Sequence, residues 1–135
     1  MRGRIENDIG AYWLDAEGLL RISAKSGIEQ SREQAEDAMR IARELAAGTK
    51  RPAVIVLAGI KGLSRGARGV YIGPLGEAVF SAVAIAVENS SIARTVVNFM
   101  LRVSLPPFPT RMFETEAEAL VWARSYLRPA DRGEP

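Results

Sequence analysis

Five residues between positions 64 and 94 have side chains suited to holding an anion: Ser64, Arg65, Arg68, Ser91 and Arg94. Hydroxyl and guanidinium groups donate hydrogen bonds to phosphate or carboxylate oxygens, and arginine can do so as a bidentate fork. The serines become nucleophiles only where a base accepts their proton. The sequence contains no histidine and no cysteine. This removes thiol nucleophiles, Cys/His zinc sites, disulfides and imidazole acid–base chemistry. Its carboxylates fall mainly on the polar faces of amphipathic helices and form no acid–base pair. The residues therefore point to a non-enzymatic protein with no metal site and no cofactor.

The same region is rich in glycine. In Leu57-Ala-Gly-Ile-Lys-Gly-Leu-Ser-Arg-Gly-Ala-Arg-Gly-Val-Tyr-Ile-Gly-Pro74 and just beyond, glycines stand at 59, 62, 66, 69, 73 and 76, spaced alternately by three and four. No Walker loop can be placed on them, and they are not a dinucleotide fingerprint. On a helix, Gly66, Gly69 and Gly73 form a bare stripe that lets two backbones approach closely. An interior glycine costs a helix about 0.5–1 kcal/mol against alanine, so the stripe should bring a compensating contact. The expected contact is close packing, within the chain or across an interface between two copies, which makes a homo-oligomer the expected assembly.

The elements that position these residues follow from periodicity and punctuation. Residues 9–15 and 19–25 read as a β-hairpin around Gly18. A capping box at Ser31 and Gln34 starts a helix with an alanine-rich face, and Gly48 is placed to end it. Residues 53–57 are continuously apolar, as in a central strand covered on both faces. A short helix from Ser64 should end at Gly73, and Pro74 should open another. Residues 82–87 form a second apolar strand. Ser90 and Ser91 then offer N-caps for a helix carrying Ile92, Val96, Phe99, Met100 and Val103 on one face. The prolines at 106, 107 and 109 make a stiff connector to a strand at 110–113. Thr115 and Glu118 suggest a capping box for the last helix. Trp13, Phe80, Phe99, Phe113 and Trp122 are read as core residues.

The order β-β-α-β-α-β-α-β-α implies an α/β sandwich whose mixed, mostly parallel sheet opens with an antiparallel hairpin. A single domain over residues 1–128 and a disordered tail over 129–135 are expected. Ligands of such sheets gather at the carboxyl ends of parallel strands. The turns after Leu57 and Val87 should therefore lie side by side at one rim, near the five candidate residues.

Apolar residues make up 47% and charged residues 25%, as in a water-soluble globular domain. Net charge is only +2, but residues 49–112 hold eight basic residues and two acidic ones. The segment suggests an electropositive side without the stacking aromatics that nucleic-acid binding favours. The N-terminal residues lack an apolar signal core, and the longest apolar run, from 78 to 87, is about half of a membrane span. A cytoplasmic protein with no transmembrane segment is expected.

Four motifs carry a resemblance. They are Trp13-Leu14-Asp15-x-x-Gly18, Ser64-Arg65-x-Ala67-Arg68, Ser91-x-x-Arg94-x-x-x-Asn98-Phe99, and the run from Pro107 to Trp122 that contains Pro109-Thr110-Arg111-x-Phe113. Over residues 9–127 the chain resembles uncharacterised bacterial proteins of the STAS-like (SpoIIAA-like) fold, that of bacterial anti-sigma-factor antagonists. The resemblance implies a regulatory, protein-interaction module. It also implies a phospho-acceptor at Ser64, the nearest serine to the antagonists' Asp-Ser-Ser-Gly motif. Here that motif is altered: its aspartate is missing and Arg65 interrupts it. The alternative is a small-ligand domain, binding either an anion or nucleotide at the strand ends or a lipid-like molecule beneath the third helix.

Overall fold

Asp15 sets the first reversal of the chain. Its Oδ1 accepts hydrogen bonds from the backbone N–H groups of Glu17 and Leu19, and Gly18 takes φ +99°, which a side chain would oppose. Strands β2 (Gly10–Leu14) and β3 (Leu20–Ala24) pair antiparallel across this turn, with Leu14 opposite Leu20. A two-residue strand β1 (Ile5–Glu6) adds to the outer edge of β2. The computed structural model describes residues 3–132.

After β3, the short strand β4 (Glu29–Gln30) leads into helix α1 (Arg32–Ala46). Both halves of the expected capping box are present: Ser31 Oγ accepts the Gln34 N–H, and Gln34 Oε1 accepts the Ser31 N–H. The helix ends one residue earlier than Gly48 suggested, because Ala47 itself takes the left-handed conformation, at φ 56°. Ala35, Ala38, Ala42 and Ala46 are fully buried, so α1 lies close to what it covers. Then follow β5 (Arg51–Val56), β6 (Gly62–Leu63), α2 (Arg65–Ile72), α3 (Pro74–Val79), β7 (Phe80–Ala86), α4 (Ser91–Val103), β8 (Thr110–Phe113) and α5 (Glu116–Arg124).

The main sheet has the order β1-β2-β3-β5-β7-β8, and β5 pairs parallel with both β3 and β7, as β7 does with β8. This is the mixed, mostly parallel sheet with an N-terminal hairpin that the sequence implies. Its larger core, which includes Tyr12, Met39, Phe80, Val83, Ile85 and Val97, brings together one sheet face with residues of α1, α2 and α4. The other face, with Val54, Ala84 and Ala86, is covered by Ala119 and Ala123 of α5.

Two expectations are corrected. The apolar side chains of α4 do not all turn inward. Ala93, Val97 and Met100 are buried, whereas Ile92, Phe99 and Val103 are 62%, 51% and 57% exposed. The helix is apolar on two sides, and the side with the smaller residues lies against the body. Phe99 is therefore not core. The chain from Pro129 is also not disordered throughout. Pro129–Arg132 form a 3-10 turn in which Asp131 is buried. The Asp131 carboxylate accepts the Arg128 N–H at 2.9 Å, and its carbonyl accepts a hydrogen bond from Arg51 Nη1 at 2.9 Å. The rest of the expected tail, 133–135, lies outside the described residues.

Truncation after Leu127 should cost about 1–3 kcal/mol, because Arg51 loses an acceptor and the covered edge at Gly18 opens. Urea denaturation measures this. An unchanged midpoint would mean that the segment is disordered in solution after all.

Candidate functional site

All four parallel strands end at one rim. The Leu57 N–H donates to the Ala86 carbonyl at 2.9 Å and the Val87 N–H to the Phe113 carbonyl at 3.0 Å. The turns after Leu57 and Val87 are thus neighbours, as the strand order requires. A second tie links this rim to the loop after β3. Gly27 N–H donates to Gly59 O at 2.7 Å, Lys61 N–H to Ile28 O at 3.0 Å and Ser64 N–H to Gln30 O at 2.9 Å, and β4 pairs parallel with β6.

Close packing within the chain accounts for much of the glycine pattern. A Cβ on Gly59 would overlap the Ser26 side chain and come within 2.8 Å of its Cα. A Cβ on Gly66 would lie 2.8 Å from Arg32 Cβ on α1, and one on Gly76 would overlap the Tyr71 carbonyl. At Gly73 the near atom is the Gly69 carbonyl oxygen, at 2.5 Å. Of the three residues expected at an interface, Gly66 and Gly73 thus face atoms of their own chain, whereas Gly69 meets nothing within 4 Å. Gly69 borders a surface groove between α1 and the α2–α3 corner, with Arg32, Val70 and Leu75 on its walls.

The five candidate residues lie on the first turns of α2 and α4. Ser64 is the N-cap of α2, its Oγ accepting the Ala67 N–H at 3.1 Å. The N-cap of α4 is Ser90, leaving Ser91 exposed as the first helical residue. Arg65 is exposed and has no ion-pair partner among the described residues. The Arg68 guanidinium stands over the Phe99 ring, 5.2 Å from its centroid, joining α2 to α4. Arg94 instead grips Glu114 at the end of β8 with two hydrogen bonds, of 3.0 and 2.6 Å. The pair holds the Glu114 carboxyl below its usual range, chiefly through that hydrogen bonding, and raises Arg94 for the same reason. Arg68 and Arg94 therefore share no partner. Glu114 carries no signal in the sequence, since only the sheet order brings it to Arg94.

Between the sheet, α1, the end of α2 and the connector at 106–110 lies an apolar cleft that α4 borders through Met100. Its cavity is about 60 Å³, and its walls include Ile22, Met39, Ile55, Val83, Met100 and Phe108. Phe108 closes one side by packing edge-on to Phe80 at 5.5 Å. Tyr12, Gln30, Tyr71 and Thr110 are the polar side chains in its lining. The Tyr71 hydroxyl bonds Gln30 Oε1, and the Tyr12 hydroxyl donates to Asn7 Oδ1 at 3.1 Å. Burial pushes the Tyr12 phenol up to about 12, with the Asn7 hydrogen bond opposing the shift, and burial raises Tyr71 as well.

Two outcomes follow from these contacts. Gly69→Ala should stabilise the protein by about 0.5–1 kcal/mol, whereas Gly66→Ala and Gly76→Ala should destabilise it; thermal melts that rank the three alike would contradict the packing described. The tyrosines give an alkaline limit. Their folded-state pKa values lie above the unfolded value near 10, so the folded state holds protons that the unfolded state has lost. The tyrosines' contribution to stability should be flat below about pH 10 and fall above it, and Tyr12→Phe should reduce that fall. A urea midpoint independent of pH between about 9 and 11 would refute the assignment.

With this geometry in hand, comparison with known proteins is informative. A solved structure of an uncharacterised DUF3478-family protein from Shewanella loihica PV-4, described as having a SpoIIAA-like fold, superposes with a TM-score of 0.54. The match covers 90% of each chain at 20% identity, which establishes the fold alone. No curated protein matches. No helix among the described residues is long and apolar enough to cross a membrane. The model of a domain of unknown function, DUF7793, matches residues 12–127, most of the sequence. The chain belongs to that family, in a SpoIIAA-like fold.

Proposed function

We propose that the protein is a non-enzymatic regulatory module of the cytoplasm that works by holding another molecule, with α4 as its working element. The observation that carries this reading is the outward face of α4. Ile92, Phe99 and Val103 recur along one side of the helix and stay exposed, and Leu105 just beyond is 85% exposed. Contiguous exposed apolar surface marks interaction sites more often than scattered single residues do. A second copy, the expected homo-oligomer, is one partner to test. Ser64 serves as a helix cap and is half-buried, so its modification would first have to release the Ala67 N–H.

A second reading is a small apolar ligand in this cleft, with the Tyr71 hydroxyl and Gln30 among the polar groups that could orient it. At about 60 Å³ the cavity is smaller than the roughly 150 Å³ cavity known to admit benzene, so anything larger requires its cover, Met100 of α4 and Phe108 of the connector, to move outward.

The absence of cysteine allows a clean test. A solvatochromic dye on Ile92→Cys should shift to the blue when protein concentration rises or host cell extract is added, whereas the same dye on Arg43→Cys should not. Light scattering on the same samples reports whether the partner is a second copy. Emission unchanged at both positions under all conditions would contradict α4 as an interaction face.

A further inference from the structure

We infer that the outward face of α4, together with the neighbouring edge of α2, receives an acidic amphipathic helix of a partner protein: an apolar stripe of Ile92, Phe99 and Val103 lies beside Arg65, Arg68 and Arg102. The inference rests on the reading of α4 as an interaction face and adds the chemistry of what covers it. Its basis is charge complementarity. Neither α2 nor α4 contains an acidic residue. Arg65, Arg68 and Arg102 have no ion-pair partner among the described residues, and Arg94 is already satisfied by Glu114.

The arrangement is specific. Arg65 and Arg68 stand three residues apart and so share one side of α2, and Arg68 reaches across to lie on the Phe99 ring. Arg102 stands three residues beyond Phe99 on α4, so basic groups flank the central ring of the stripe. From Ile92 to Val103 the stripe runs about 16 Å, the length of three helical turns. A partner helix of that length could set its apolar residues on Phe99 and its carboxylates against the arginines. A second copy docking through the same face would bring like charges together, which disfavours it. The cations here are all arginines, whose planar forks match carboxylates in fixed geometry, and no lysine, tryptophan or tyrosine of the kind that anchors a helix to a lipid surface lies on α4. A protein partner is therefore favoured over an anionic membrane.

The test is to pan a displayed library of randomised helical peptides against the immobilised full chain at low salt, and to measure selected binders by fluorescence anisotropy. Selected peptides should carry Asp and Glu alongside an apolar stripe. Their affinity should fall about tenfold or more with Phe99→Asp and with the pair Arg68→Glu and Arg102→Glu, but not with Arg43→Glu on α1. Circular dichroism melts confirm that each variant folds, and Ile92→Asp replaces Phe99→Asp if the latter does not. Neutral or basic binders that still require Phe99 would overturn the inference while leaving the interaction reading intact. So would phosphatidylserine vesicles that sediment the chain through Phe99 when no acidic peptide is selected. An absence of any binder dependent on α4 would overturn both.

Discussion

The parallel pairing of β5 with β7 is the constraint from which the rest follows. Two adjacent parallel strands must release the chain at the same rim, and β3 and β8 release it there too. Four exits share a narrow edge. The loops after β3 and β5 resolve the crowding by hydrogen-bonding to each other through backbone groups. Such contact leaves little room beyond Cα at Gly59, while Gly66 faces α1 and Gly73 and Gly76 face the backbone of α2. The glycine stretch is thus largely a packing solution, and at the rim Ser64 and Ser90 cap the Ala67 and Ala93 N–H groups at the starts of α2 and α4.

The same crowding shapes α4. This helix starts at the shared rim and crosses the face already covered by α1 and α2, so it touches the body along a narrow line of Ala93, Val97 and Met100. Its outer side keeps an apolar stripe, and on its inner side Met100 borders the cavity. On the opposite face α5 is seated differently: its backbone runs close to β5, β7 and β8, whereas that of α4 comes close chiefly to β6, and the first turn of α5 is fixed by Glu88 accepting the Glu116 N–H. Function is expected on the less firmly seated of the two helices, because partner-binding elements are drawn from the less stable parts of a fold.

Local signals in the sequence were sufficient for most elements. Alternation in residues 20–24, the caps at Ser31 and Ser64, and Pro74 at a helix start each depend on neighbours a few residues away. The parallel order could be inferred from the alternation of strands and helices, and it placed the turns after Leu57 and Val87 correctly. What stayed hidden depends on distance along the chain. β1, β4 and β6 are two residues long and have no periodicity to read. Arg94 meets a carboxylate twenty positions later, and Asp131 meets Arg51 eighty positions earlier. Both sides of α4 are apolar, so periodicity could not say which side faces the body. Glu88 and Asn89 both take positive φ in the turn before α4, which residue type alone does not dictate.

Native-state hydrogen exchange reads the central claim, that α4 is held by one side only and stands ready for a partner. In the isolated protein, the amides of α4 should open at a free energy well below that of global unfolding, while those of β5 and α1 exchange only with global unfolding. Protection of α4 equal to that of α1 would contradict the account.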